Sequence, residues 1–321
     1  MASKQALMIH IHTDETPAHA RTRVDNISQS MLIRRASTVR TLSTLLAPTI
    51  PHVEVLSASA TKSGHPIAAR NVYCVGRNYE AHAVELGNEV PKEEPVIFLK
   101  SSAALRGLDP TSASQPSVAY ANEEFSYECE LVYLVGTHVP VGQLKPGDEY
   151  SCIEAIGLGL DLTRRGKQTE LKGKGLPWTL AKSFHGSAIV SPMLRIDSSF
   201  DLADISFALD VKKTRRQEGH IRQMIFDVPY LLRFLNSFGA LLPGDLLFTG
   251  ECHHPPKRRD PFHSSASCST HPRVLPLVVP CRAGTPEGVG KIKMGDSFSM
   301  KFLSGVPLGN RKTPAPFKGQ L

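Results

Sequence analysis

Two carboxylates set two residues apart in strand-like sequence are the first feature able to carry chemistry. In FSYECELVYLVG (125–136), apolar and acidic residues alternate before the run turns wholly apolar. A period of two predicts a strand with two distinct faces, and it points Glu128 and Glu130 to the same one. Adjacent like charges need a cation, a proton or solvent. Asp161 lies near the end of another apolar run, IEAIGLGLDLT (153–163). Three carboxylates meeting in one cleft make an all-oxygen site suited to Mg²⁺ or Mn²⁺. On spacing alone, the solvated face of an edge strand is the commoner origin of such a Glu-x-Glu pair.

His82 and Glu85 stand three apart in YEAHAVELG (79–87), a short helical stretch stopped by Gly87 and Asn88. They share a helix face. A carboxylate beside an imidazole orients it and raises its basicity, which makes a general base. Taken alone, an ordinary surface contact is by far the commoner origin of such a pair. Lys182 follows the single tryptophan, Trp178, in GKGLPWTLAKSF (173–184). A lysine near a bound substrate stabilises developing negative charge, although a surface lysine is the more frequent case. GTPEGVG (284–290) lacks the Gly-Lys-Ser/Thr ending of a P-loop. Its backbone N–H groups can still hold a carboxylate.

The elements that must position these residues are mostly strands. NVYCVG (71–76), VIFLK (96–100), ISFALDV (205–211), LLFTG (246–250) and DSFSMKFL (296–303) read as further strands, and 224–238 has helical apolar spacing. No strand–helix–strand repeat is visible, so the expected fold is β-rich α+β rather than a doubly wound parallel sheet.

Composition removes other classes. The 321 residues are 41% hydrophobic and 21% charged, which is globular, and no apolar run nears the length of a membrane helix. The net charge of +7 sits outside the body: residues 71–250 with 285–300 hold 20 basic and 24 acidic residues. A nucleic-acid enzyme would carry a basic face there. Six scattered cysteines with no regular framework fit a reducing compartment. Residues 1–70 form a basic leader or arm. From Met31 it reads MLIRRASTVRTLSTLLAP, the composition of a transit peptide, with no acid until Glu54. Either Met31 is the true start or the segment is a basic arm. Residues 71–310 are expected to be the catalytic domain and 311–321 a tail. The Pro-, His- and Cys-rich segment 251–284 interrupts the domain, and its ligand spacings match no usual structural zinc pattern.

In order, CVGRNYEAHAVELG, EPVIFLK, YECELVYLVG, GLDLTRRGKQ, KGLPWTLAKSF, RQMIF, LPGDLLFTG and TPEGVG closely resemble the fumarylacetoacetate hydrolase family. Within it the chain looks most like the small single-domain acylpyruvases. The resemblance runs from about Asn71 to Phe302 and implies a mixed β-roll, usually a homodimer. It implies Mg²⁺ (alternatively Mn²⁺ or Ca²⁺) on Glu128, Glu130 and Asp161, with His82, Glu85 and Lys182 catalytic. It also implies substrate contacts from Arg77, Gln168 and Thr285. The expected reaction is hydrolysis of an acylpyruvate, an α-keto acid, to pyruvate and a carboxylic acid. Water activated by His82 attacks the distal carbonyl, and pyruvate enolate leaves. Oxaloacetate decarboxylation passes through the same enolate. A 2-hydroxyhepta-2,4-diene-1,7-dioate-type isomerase and a catalytically impaired metal-binding member are the alternatives. The segment from Met31, helped by the resemblance, points to mitochondria, with the cytoplasm as the alternative; the acidic body and the lack of a long apolar run point to neither nucleic-acid nor membrane partners.

Departures from the family pattern stand at Gly166, where an acidic residue is usual, at His185, and in the turn VKKTRRQ, which lacks Asn-Gly and suggests a changed loop. The largest is 251–284. Its removal joins Thr249-Gly250 to Thr285-Pro286 and restores TGTPEGVG. This is the pattern of a translated, unspliced intron, the alternative being a lineage-specific loop. Sequencing transcripts across the junction separates the two, and finding only the long form contradicts the intron.

Overall fold

The two longest apolar runs become the paired centre of the sheet. The computed structural model describes residues 51–56, 65–79, 93–108, 118–120, 122–250, 290–307 and 316–321. The expected helix bearing His82 and Glu85, the segment 251–284 and Thr285 lie outside them. The strands are β1 (His52–Leu56), β2 (His65–Ala68), β3 (Val72–Gly76), β4 (Val96–Lys100), β5 (Leu105–Gly107), β6 (Phe125–Val135), β7 (Ile153–Thr163), β8 (Ala188–Val190), β9 (Met193–Arg195), β10 (Ser206–Val211), β11 (Thr214–His220), β12 (Leu246–Phe248), β13 (Lys291–Ile292), β14 (Ser297–Ser304) and β15 (Phe317–Gln320). The helices are α1 (Arg165–Gly173), α2 (Thr179–Lys182) and α3 (Val228–Phe238).

The larger, mixed sheet runs β2-β1-β9-β7-β6-β12-β3-β4, with β13 on β6 and β8 joining β7 to β5. The smaller is the antiparallel set β11-β10-β14-β15. This is the expected strand-rich architecture with short helices. The boundary expected at residue 71 falls inside the sheet, because β1 pairs β2 and, in parallel, β9. Likewise β15, in the expected tail, pairs β14. Of these short strands β1 buries two apolar side chains and β2 and β15 bury none, too few to show a period. The turn at 212–213 is also a two-residue hairpin connection. Lys212 and Lys213 both take positive φ, 51° and 63°, the conformation Asn-Gly ordinarily serves. The two lysines thus hold a regular two-residue hairpin turn without Asn-Gly.

The strands β6 and β7 place the site. Every residue of β6 is buried, so it is a central strand, and the edge-strand explanation of Glu128 and Glu130 fails. Phe125, Tyr127, Cys129, Leu131, Tyr133 and Val135 enter one apolar cluster. On the opposite face Val132 and Leu134 enter a second cluster, and Glu130 and Glu128 continue that same face. The antiparallel register sets Asp161 opposite Glu128 and Gly159 opposite Glu130. A Cβ at Gly159 would come within 2.5 Å of Phe248 and 2.7 Å of Val132. Overpacking costs about 1–3 kcal/mol, so we expect Gly159→Ala to lower unfolding stability by that much. Urea denaturation measures it; an unchanged midpoint would show that the strand yields.

The helix α3 begins at Val228, four residues later than its apolar spacing suggests. Asp227 Oδ1 accepts the Tyr230 N–H at 2.8 Å as the N-cap, and a proline follows in the first turn. Cys74, Cys129 and Cys152 are free and buried. Burial pushes the Cys74 thiol well up and raises that of Cys152 to about 11, so neither is a nucleophile at neutral pH. Among the described residues no helix is long and apolar enough to cross a membrane.

Candidate active site

Carboxylate oxygens of Glu128, Glu130 and Asp161 lie within 4.8 Å of one another, and all three residues are buried. Two strands and one turn supply the frame. The glutamates come from alternate positions of β6 and Asp161 from the facing position of β7. Past β12, Gly250 turns with φ +101° and donates its N–H to Glu130 Oε2 at 2.7 Å. A Cβ there would meet Asn78 Cβ at 2.7 Å. Buried Asn78 holds the turn: its Nδ2 donates to the carbonyls of Thr249 (2.7 Å) and Phe226 (3.0 Å).

Among the described residues, three cations face the three acids. Lys182, on α2, donates from Nζ to Glu128 Oε2 (2.6 Å) and Asp161 Oδ2 (2.8 Å). Lys100 closes β4, and its side chain is wholly buried. Its Nζ donates to the carbonyls of Leu162 (3.3 Å) and Lys182. It also lies 2.8 Å from Asp161 Oδ1, off the direction of a hydrogen bond, so that oxygen has no hydrogen-bond partner. Arg165, on the first turn of α1, donates to Glu128 Oε1 (2.5 Å) and Gln168 Oε1 (2.7 Å). The neighbouring Arg164 turns away to a two-point pair with Glu123, at 2.7 Å each.

Burial, then the charges of Asp161 and Glu128, push the Glu130 carboxyl well above the usual carboxylate range; the Gly250 N–H and Lys182 pull it down by less. Burying each ion costs several kcal/mol. Packing apolar side chains here would avoid that cost, so the cluster points to chemistry. Its donor set is all oxygen, buried, with one carboxylate oxygen unbonded, and it fits a hard divalent cation.

The cleft beside these groups, about 30 Å³, is lined by Arg77, Phe98, Glu128, Arg165, Gln168, Trp178 and Lys182, among others. Arg77 holds a positive φ of 59°. The structure therefore gathers six of the nine expected site residues: Arg77, Glu128, Glu130, Asp161, Gln168 and Lys182. His82, Glu85 and Thr285 lie outside the described residues. Lys100, Arg165 and Asn78 were missed. Lys100 ends an apolar strand, where a lysine ordinarily reaches solvent, and α1 shows no apolar period because only Gln168 and Leu171 of it are buried. His185, one of the departures, is exposed and touches Arg106. A Cβ at Gly166 would meet nothing within 4 Å, so the missing acidic side chain leaves open space.

The profile of the fumarylacetoacetate hydrolase C-terminal family matches residues 71–261. The mitochondrial oxaloacetate decarboxylase of Dictyostelium discoideum is 36% identical over 183 residues, 56% of this chain and 80% of that protein. The mitochondrial oxaloacetate tautomerase FAHD1 of Arabidopsis thaliana is 31% identical over 231 residues, 71% of this chain and 84% of that protein. The crystal structure of fumarylpyruvate hydrolase from Pseudomonas aeruginosa with Mn²⁺ and pyruvate aligns with a TM-score of 0.62 at 28% identity. It covers 80% of this chain and 94% of that one.

Proposed function

Since the chain belongs to the fumarylacetoacetate hydrolase family, we propose that it is a divalent-cation-dependent hydrolase. It cleaves the C–C bond of acylpyruvates to give pyruvate and a carboxylic acid. The observation that carries this reading is the buried Glu128–Glu130–Asp161 cluster with Lys182 against it. Mg²⁺ is the expected ion, with Mn²⁺ or Ca²⁺ as alternatives; held by these carboxylates it would supply Lewis-acid charge at the keto-acid end.

The chain's own residues do the rest. Arg77 and Gln168 orient the substrate carboxylate from the cleft, with Thr285 and its glycine-rich loop as a third contact. His82, oriented by Glu85, takes a proton from water, and the resulting hydroxide adds to the acyl carbonyl. As the C–C bond breaks, its electron pair passes to the pyruvate fragment as an enolate. Lys182 stabilises that charge, and a proton then returns to carbon. The reading includes a homodimer and, with relatives named mitochondrial, a mitochondrial location.

The names of those relatives favour a second reading: oxaloacetate decarboxylation, which runs through the same pyruvate enolate, or oxaloacetate tautomerisation, which runs through the enolate of oxaloacetate itself; neither needs activated water. Pyruvate release from acetylpyruvate, by the 321-residue chain and by one lacking 251–284, tests the first. We expect turnover in Mg²⁺ and none in EDTA. Turnover by the shortened chain alone would mark the segment as inhibitory. Inert acetylpyruvate beside reactive oxaloacetate would replace the first reading with the second.

A further inference from the structure

An apolar trough of about 570 Å³ adjoins the charged cleft at β4, the last strand of its sheet among the described residues. Phe98, Trp178 and Lys182 line both spaces. Farther out the trough is walled by Val96, Leu99 and Phe238 among others, and Lys182 is the one charged residue among its described lining residues. The Lys182 ammonium is held at the junction by Glu128 and Asp161, and it lies 5.1 Å from the Phe98 ring centre. Phe98 in turn meets Trp178 edge to face at 6.0 Å. Leu99 and Phe238 are 54% and 58% exposed; large apolar side chains gathered at a cleft mark a binding surface.

We propose that this trough is the acyl subsite and that it selects acylpyruvates with a sizeable apolar acyl group, aliphatic or aromatic. The inference rests on the acylpyruvate reading above and deepens it. A keto-acid head at the carboxylates and Lys182 sends its acyl substituent past Phe98 and Trp178 into the trough. Its volume is that of a pocket for a drug-sized ligand, which an acetyl group leaves mostly empty. Oxaloacetate would set a second carboxylate against an apolar wall, without a partner.

The test is kcat/KM of the full chain in Mg²⁺ for acetyl-, hexanoyl- and benzoylpyruvate, repeated with Leu99→Asp. Each methylene moved from water to an apolar wall is worth roughly fourfold, so hexanoylpyruvate should exceed acetylpyruvate by at least about tenfold. In Leu99→Asp the hexanoyl-to-acetyl ratio should fall by about fivefold or more. A flat or falling series, or a ratio that Leu99→Asp leaves intact, overturns the subsite while the hydrolase reading stands. Cleavage of none of the three, by the full chain or by the chain lacking 251–284, overturns the hydrolase reading and the subsite with it. A dimeric parent whose Leu99→Asp variant becomes monomeric in light scattering makes the trough a subunit seam and also overturns the subsite.

Discussion

Glu130→Gln is expected to abolish divalent-cation binding and to lower turnover about 1000-fold, the loss of roughly 4 kcal/mol of transition-state stabilisation. The side chain is buried at 1% exposure, so its replacement changes the cluster and not the surface. An amide keeps the fold, because its oxygen can still accept the Gly250 N–H that Glu130 Oε2 accepts now. Its NH₂ group then faces Glu128 and Asp161, both acceptors. One of three mutually repelling charges is gone, and the raised pKa of Glu130 reports that repulsion together with its burial. With EDTA present, the variant should therefore melt no lower than the parent. Mn²⁺ should raise the melting temperature of the parent and leave the variant where it is. Titration calorimetry and paired thermal melts read both; a variant that still binds Mn²⁺ with parental affinity would contradict the assignment.

Lys182→Met should do the opposite to the cation and nearly the same to the reaction. Removing a single donor to a developing oxyanion costs roughly 100- to 1000-fold in turnover. The Lys182 ammonium also neutralises Glu128 and Asp161 from a position that is 5% exposed. Breaking a buried pair on one side leaves an uncompensated charge, at a cost of about 3–5 kcal/mol. In EDTA the variant should thus be destabilised by about that amount. A divalent cation approaching these carboxylates competes with Lys182 for the same oxygens, so the variant should bind Mn²⁺ at least as tightly as the parent and regain its melting temperature on doing so. Equal stability of the two proteins in EDTA would show that Lys182 is not the cluster's counter-ion. The two variants separate the roles of charge and donor: one folds without the cation and cannot use it, whereas the other depends on it and still cannot turn over.

Much of the frame was legible because β6 and β7 are long enough to show their period. Eleven residues each allow the alternation in FSYECELVYLV to place Glu128 and Glu130 on one face, and the apolar run before Asp161 to mark its strand. What the alternation hides is the second layer. An acidic face beside apolar residues looks wet in one dimension, and only the antiparallel register with β7 shows that it is the floor of a buried site. Lys100 escaped for a related reason, since its partners Asp161, Leu162 and Lys182 are 61 or more residues away. The strand β11, TRRQEGH, reads as a polar turn; its buried side chain is Gln217, which accepts the Cys129 N–H at 2.9 Å across to the other sheet. The pairing of Arg165 with Glu128 likewise depends on the angle at which α1 leaves β7, which no local pattern encodes.

The most direct measurement is proton NMR of acetylpyruvate and, separately, oxaloacetate incubated with the full chain, each in Mg²⁺ and in EDTA. The account predicts acetate and pyruvate appearing from acetylpyruvate in equal amounts in Mg²⁺, and neither in EDTA. Acetylpyruvate left intact in Mg²⁺, with oxaloacetate converted, would contradict it.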